Sequence, residues 1–271
     1  MTYNTFSQKW SKIKHEKKDT DEKILFVDVG KQPETQRQIN LYYYFIFIQK
    51  ILKKIKASDV LEIGCGRGTM SLFLSKHLNY HTSLLDNQAD AMEIAKQEFK
   101  KHDQSAEFYL ADALNTNLPP CSFDAVISIG LAEHIDNVHN LFKEQFKILR
   151  PGGVIISLNI PAKLSIQYLN NIMRFFKKII GTYKQSIRKD YYRNKLKPSD
   201  YKKIACKVGF HNIKITHVCP FPIYTPVKAS TDKKIAKFNK FILKIRKMFL
   251  KYPFKTNYLF SQAHFLVGYK K

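Results

Sequence analysis

From Ser58 to Ile160 the chain alternates apolar stretches of strand length with amphipathic stretches of helix length, and that alternation leaves few folds open. "SDVLEIG" reads as a buried strand, and "TMSLFLSKHL" as the helix after it, with Leu72, Leu74 and Leu78 among its apolar positions. "HTSLLD" is a second strand, followed by a helix "ADAMEIAKQEFKKH" with Met92, Ile94, Ala95 and Phe99 available for burial. "AEFYLAD" and "FDAVISIG" supply two more strands, and "HNLFKEQFKILR" is a helix leading into a fifth, "PGGVIISLNI". Helix, glycine stop and strand follow in "KPSDYKKIACKVGFHNIKITHV", with Pro198 opening the helix and Gly209 closing it. "AHFLVGYKK" is the terminal strand. The expectation is an α/β fold, a doubly wound, mostly parallel sheet of seven strands.

The three glycines after the first strand, Gly64, Gly66 and Gly68, stand in G-x-G-x-G spacing, tighter than the dinucleotide fingerprint G-x-G-x-x-G. Glycine there lets a ligand approach the backbone and lets the chain turn sharply into a helix. Glu62, two residues earlier, narrows the ligand: a carboxylate repels a pyrophosphate and suits a ligand with an ammonium group. On these grounds a plain dehydrogenase is the weakest reading.

From about Ser58 to the C-terminus the chain resembles the class I S-adenosylmethionine-dependent methyltransferases, and "VLEIGCGRG" is similar to their first motif. The resemblance implies a Rossmann-like fold and S-adenosylmethionine as cofactor. It places Gly64, Cys65, Gly66 and Gly68 beneath the cofactor and Glu62 at its methionyl ammonium. Asp86 and its neighbour Asn87 fall at the ribose, Asp112 and Ala113 at the adenine edge. "SIGLAEHI" matches the segment flanking the methionyl part, which brings in Ile129, and "LRPGGVIIS" matches the start of strand five. Glu133 and His134 are the candidate proton-handling residues, with Tyr191 and Tyr192 behind them; packing and capping are the competing roles for all four. The "EH" pair also resembles one in ubiquinone-biosynthesis O-methyltransferases, where nearby acids can hold a divalent metal. Gly130 stands where a further acid belongs, so no metal is expected. "NPPY" and "DPPY", which mark many enzymes that methylate nucleic-acid bases, are absent after strand four.

Charge divides the chain unevenly. Residues 1–161 hold 20 basic and 19 acidic residues, whereas residues 162–271 hold 26 and 3. A net of +1 against +23 points the C-terminal part at something anionic. Two basic stretches, about 162–196 and 220–258, interrupt the strand and helix order and are expected to form a helical lid. In the first, Leu169, Ile172, Met173, Phe176 and Ile180 share a side. In the second, Ile235, Phe238, Phe241, Ile242, Ile245, Met248 and Phe249 fall at helical spacing, with eight lysines and arginines and no acid from Lys233 to Lys251. That pattern suits either a lid packed on the core or an interfacial helix at an anionic membrane.

A chain of 271 residues accommodates one such domain at 39–271, preceded by a segment 1–38 that either moves or covers the cofactor. The four cysteines, Cys65, Cys121, Cys206 and Cys219, have neither CxxC nor metal-ligand spacing, which fits a reducing compartment. The longest apolar run, Leu41 to Ile48, is too short to span a bilayer, and the charged N-terminus lacks a signal-peptide core. The expected place is the cytoplasm, or peripheral on the inner face of a membrane. The leading expectation is methyl transfer to a small-molecule, quinone-like or lipid acceptor. The alternatives are an RNA-modifying methyltransferase, with nucleic acid held by the basic half, and a non-catalytic partner protein that binds the cofactor.

Overall fold

A computed structural model of the chain describes residues 3–15, 25–161, 175–176, 178–181, 192–220 and 229–271. Its elements are α1 (Tyr3–His15), α2 (Gln36–Ile55), β1 (Asp59–Ile63), α3 (Thr69–Leu78), β2 (His81–Asp86), α4 (Ala89–Lys101) and β3 (Glu107–Leu110). There follow β4 (Phe123–Ile129), α5 (Val138–Ile148), β5 (Leu149–Asn159), α6 (Pro198–Val208), β6 (His211–Val218), α7 (Ala229–Phe249) and β7 (Ala263–Tyr269).

The seven strands form one sheet in the order β3-β2-β1-β4-β5-β7-β6. The first five run parallel, and β7 lies antiparallel between β5 and β6. Alternation along β1 divides the interior in two. Val60 faces one core with Leu84, Phe73, Phe99 and Phe45; Leu61 and Ile63 face the other with Phe142, Leu141 and Tyr201. Helices α2, α3, α4 and α7 contribute to the first core, α5 and α6 to the second. Chain order reverses between β1 and β4, so a crevice opens beyond their C-terminal ends, where ligands bind in sheets of this kind.

Local signals fix the helices that border the crevice. Thr35 caps α2 by accepting from the Gln38 amide at 3.2 Å, while the Gln38 side chain accepts from the Thr35 amide. At the opposite end of the sheet Arg150 bridges Asp59 at 2.7 Å and Asp124 at 2.8 Å, tying the starts of β1 and β4 together. Against the opposing effect of burial, the Ser58 amide, then the Arg150 guanidinium and the Asp59 amide, hold the Asp124 carboxyl down at about 2.

Of the second basic insertion, Ala229–Phe249 is helical, but its apolar residues do not share one face. Ala236, Asn239 and Leu243 are buried, and Ile235 and Ile242 half-buried. Phe238, Phe241, Ile245, Met248 and Phe249 are exposed. The helix seats against α2, where Asp232 accepts from the Gln36 side chain at 2.6 Å. Of the first insertion, Phe176 and Ile180 are exposed, and Leu169, Ile172, Met173 and Tyr191 lie outside the described residues. No helix among the described residues is long and apolar enough to cross a membrane.

Candidate functional site

The crevice holds a cavity of about 540 Å³. Ten of the residues singled out from sequence line it: Glu62, Gly64, Cys65, Gly66, Asp86, Asn87, Asp112, Ala113, Ile129 and His134. Gly68 and Glu133 do not.

The glycine loop turns on left-handed backbone and is tied to β2. The Gly64 amide donates to the Leu85 carbonyl at 2.8 Å and the Gly66 amide to Asp86 Oδ2 at 2.9 Å. At Gly66 (φ +55°) an added Cβ would sit 2.9 Å from the Trp10 ring, so the indole rests on the loop. At Gly68 (φ +65°) it would sit 2.3 Å from Leu84 Cδ2. That glycine serves the close packing of α3 on β2, which is why it stands outside the lining.

Glu62 is buried and accepts at Oε2 from the Ser71 amide at 2.9 Å and the Ser71 hydroxyl at 2.6 Å, which fixes the first turn of α3. Burial, against these bonds, pushes its carboxyl up to about 7. Asp86, at the end of β2, also accepts from the Gln88 amide at 3.0 Å. Burial raises this carboxyl too, while the bonds from backbone amides and the nearby Lys9 ammonium work the other way. Asn87 accepts from the Gln88 side chain, and Asp112 Oδ1 accepts from the Leu114 amide at 2.9 Å, which shapes the turn carrying Ala113. Cys65 is buried with its sulfur 3.7 Å from that of Met92, and burial raises its thiol well out of the reactive range.

His134 Nδ1 lies 2.6 Å from the Tyr192 carbonyl, which makes Nδ1 the donor and Nε2 the nitrogen able to take a proton. Burial lowers the imidazole below its ordinary value, so the neutral ring prevails at pH 7. Tyr192 meets the histidine through its backbone; its hydroxyl bonds Asp136 and is raised by that bond. Glu133 is buried, with Oε1 3.5 Å from the position of a Cβ on Gly130, and the backbone amides of Glu133 and Ile160 approach its carboxylate. Burial pushes this carboxyl up to about 7.

Sequence reasoning left residues 1–38 either moving or covering the cofactor and named no residue of α1 for the site. Phe6, Lys9, Trp10 and Ile13 all line the cavity, as do Leu25, Arg37 and Leu41. Lys14 anchors the helix to α4 through Asp90 at 2.9 Å and Glu93 at 2.6 Å. Lys9 Nζ lies 4.6 Å from the Trp10 ring centroid, and burial, then Arg37 and Arg67, lower its ammonium to about 8. The signal lay in "FSQKWSKIKH", whose Phe6, Trp10 and Ile13 are spaced four and three apart around the chain's single tryptophan. Among the described residues, none from 162–271 lines the cavity. Nor does any group of three His, Cys, Asp or Glu among them suit a metal ion.

The family described as "Methyltransferase domain" matches residues 60–153, the stretch from β1 to the start of β5 that supplies Glu62, Asp86, Asp112, the glycine loop and His134. Over that stretch the chain is similar to S-adenosylmethionine-dependent methyltransferases of class I. It is 29% identical over 110 residues to phosphoethanolamine N-methyltransferase 1 of Arabidopsis thaliana, covering 41% of this chain and 22% of that protein. It is 34% identical over 106 residues to demethylmenaquinone methyltransferase of Leptospira interrogans, covering 37% of this chain and 42% of that protein. The chain thus spans less than half the length of either relative. The fold is shared more widely: a SAM-dependent methyltransferase from Archaeoglobus fulgidus superposes with a TM-score of 0.55 at 18% identity, covering 85% of this chain and 94% of that one. The sequence match therefore spans the elements from β1 to the start of β5, while α1, α2 and the elements after β5 fall outside it.

Proposed function

We propose that the protein transfers a methyl group from S-adenosylmethionine to a small acceptor with an apolar body, quinone-like or lipid. The observation that carries this reading is one cavity bringing Glu62, Asp86, Asp112 and His134 together around a glycine loop. Its volume of about 540 Å³ lies within the range of small-molecule sites. The donor set fits the cofactor. Acids at the ends of β1 and β2 suit an ammonium and a pair of ribose hydroxyls, and the loop has no Cβ at Gly64 or Gly66 to hold a ligand off. Lys9, Arg37 and Arg67 offer positive charge to a carboxylate. When bound, S-adenosylmethionine supplies a methyl already activated by its sulfonium.

The protein's own task is mainly alignment. Glu62 holds the methionyl ammonium, Asp86 the ribose, and Asp112 with Ala113 the adenine edge. Ile129 and Leu131 flank the transferring group. Apolar side chains at Phe6, Ile13, Leu41, Leu131 and Ile135 exclude water and receive the acceptor body. His134, neutral and with Nδ1 committed to the Tyr192 carbonyl, takes the proton of an acceptor hydroxyl at Nε2. The relatives named for quinone and phosphoethanolamine chemistry support a small-molecule acceptor.

Calorimetric titration with S-adenosylmethionine and S-adenosylhomocysteine, on wild type and Asp86→Ala, tests the cofactor half. Saturable binding by the wild type, lost in the mutant, is expected. Labelled methyl donor offered with lipid extracts then tests the acceptor. A folded wild-type protein that binds neither compound would end the methyltransferase reading.

A further inference from the structure

We infer that α7 is an in-plane anchor that lays its outer face on an anionic lipid bilayer. The helix presents two faces of opposite fate. Ala236 is fully buried and Leu243 is 4% exposed, and with Asn239 they seat the helix on the domain. On the far side Phe238 and Phe241 are 62% and 59% exposed, and Met248 and Phe249 each 79%, with Ile245 between them. These five residues repeat at helical spacing, so they form one stripe of large apolar side chains in water. A helix that has already buried one face keeps no such second stripe without a partner for it.

Charge identifies the partner. Lys237, Lys240, Lys244 and Lys247 recur at steps of three, four and three, a lysine row along one border of the apolar stripe. The other border is closed by Arg246, whose guanidinium donates to the Pro253 and Lys255 carbonyls at 2.8 Å and 2.6 Å and fixes the chain where it leaves the helix. That loop runs on to Tyr258, Leu259 and Phe260, all exposed. Apolar side chains flanked by a row of lysines match the layered chemistry of a membrane interface, acyl boundary beneath and anionic headgroups alongside. A second copy of the chain fits poorly, because residues 162–271 carry a net charge of +23 and two copies would oppose like charges. Nucleic acid would answer the lysines and leave Ile245 and Met248 in water.

The anchor sits one helix from the cavity. Asp232 of α7 bonds Gln36, the residue before Arg37, and Arg37 and Leu41 of the same α2 line the cavity. An acceptor dissolved in the bilayer would therefore reach the site from the surface α7 rests on; this last step rests on the methyltransferase reading, whereas the anchoring does not.

Flotation of the full chain with vesicles tests the anchor without any enzymatic readout. Vesicles of phosphatidylcholine alone are compared with vesicles that also contain phosphatidylglycerol. Retention on the anionic vesicles only, weakening as sodium chloride rises, is expected. Lys240→Gln, Lys244→Gln and Lys247→Gln should each weaken it about fivefold. The combined variant Phe241→Ser/Met248→Ser/Phe249→Ser should lower binding at least about tenfold. Because these side chains are exposed, the melting temperature should hold, and circular dichroism checks it. A tryptophan placed by Phe241→Trp should shift to the blue on anionic vesicles. Equal retention on neutral and anionic vesicles, full retention by the folded serine variant, or a Phe241→Trp emission already blue-shifted in a lipid-free dimer would overturn the proposal. So would salt-sensitive binding to tRNA with none to vesicles.

Discussion

Two glycines of one loop do different work. At Gly68 an added Cβ meets buried Leu84 at 2.3 Å on a backbone that disfavours side chains. Gly68→Ala should therefore destabilise the whole domain by about 2–4 kcal/mol, read from urea unfolding. At Gly66 the same carbon meets only the Trp10 ring, on a helix held to the domain by exposed ion pairs. Gly66→Ala, on equally left-handed backbone but without the core clash, should cost only about 1–2 kcal/mol and lose affinity for S-adenosylhomocysteine as well. Equal losses of stability would show that the two positions share one packing role. Glu133 gives a second residue-scale test. Its carboxyl is raised to about 7 by burial, so between the ordinary carboxylate range and pH 7 the native state binds more protons than the unfolded one. Stability must then fall as pH rises through that window, by about 3 kcal/mol for this group. Glu133→Gln keeps the shape and removes the ionisation. It should match the wild type near about pH 4.5 and exceed its stability near about pH 8 by about 3 kcal/mol. A variant that is less stable at both ends would mean the carboxylate has a partner it depends on.

At the scale of elements, α1 is the part that sequence reasoning left open and that the cavity uses most directly. Trp10 is the only tryptophan, and it rests on Gly66. Its fluorescence should therefore change on adding S-adenosylhomocysteine, saturating with the calorimetric isotherm, and Trp10→Ala should weaken that ligand about tenfold with little loss of global stability. Unchanged emission at saturating ligand would place the bound cofactor away from α1. The same contrast shows what was legible. The strands and helices of residues 58–160 could be read because each pairs a hydrophobic period with its own start or stop, as in the helix of Thr69–Leu78 between Gly68 and Asn79. The acids could be read because each stands at or within two residues of a strand's C-terminal end. By contrast, α1 meets the loop across more than fifty residues of chain, and no local pattern announces such a contact. For α7 the periodicity was visible, but a 3.6-residue repeat cannot say which of two apolar stripes the core will take. Ala236, Asn239 and Leu243 won because small or slim side chains let the helix approach α2, and the phenylalanines were left outside.

Over the whole molecule, charge and function pull in opposite directions, and salt separates them. The chain carries +24, and the excess lies almost wholly in residues 162–271. Like charges held at folded-state distances repel more than in an expanded chain, so the compact state is strained electrostatically. Against this stand surface ion pairs such as Lys14 with Asp90 and Glu93, and Lys147 with Glu144, each partly exposed and individually weak. The net repulsion is the larger sum, because the pairs consume few of the 46 basic residues. Added sodium chloride shortens the screening length from about 10 Å at 0.1 M towards about 3 Å at 1 M, so it relieves the repulsion more than it costs the pairs. Melting temperature should rise by about 2–4 °C across that range, equivalent to about 1 kcal/mol for a chain of this size. Binding to anionic vesicles, driven by the same lysines, should fall over the same range. One titration followed by two readouts thus gives slopes of opposite sign. If the melting temperature fell with salt instead, the ion pairs would outweigh the repulsion, and the basic half would have to be neutralised within the fold rather than held ready for an anionic surface.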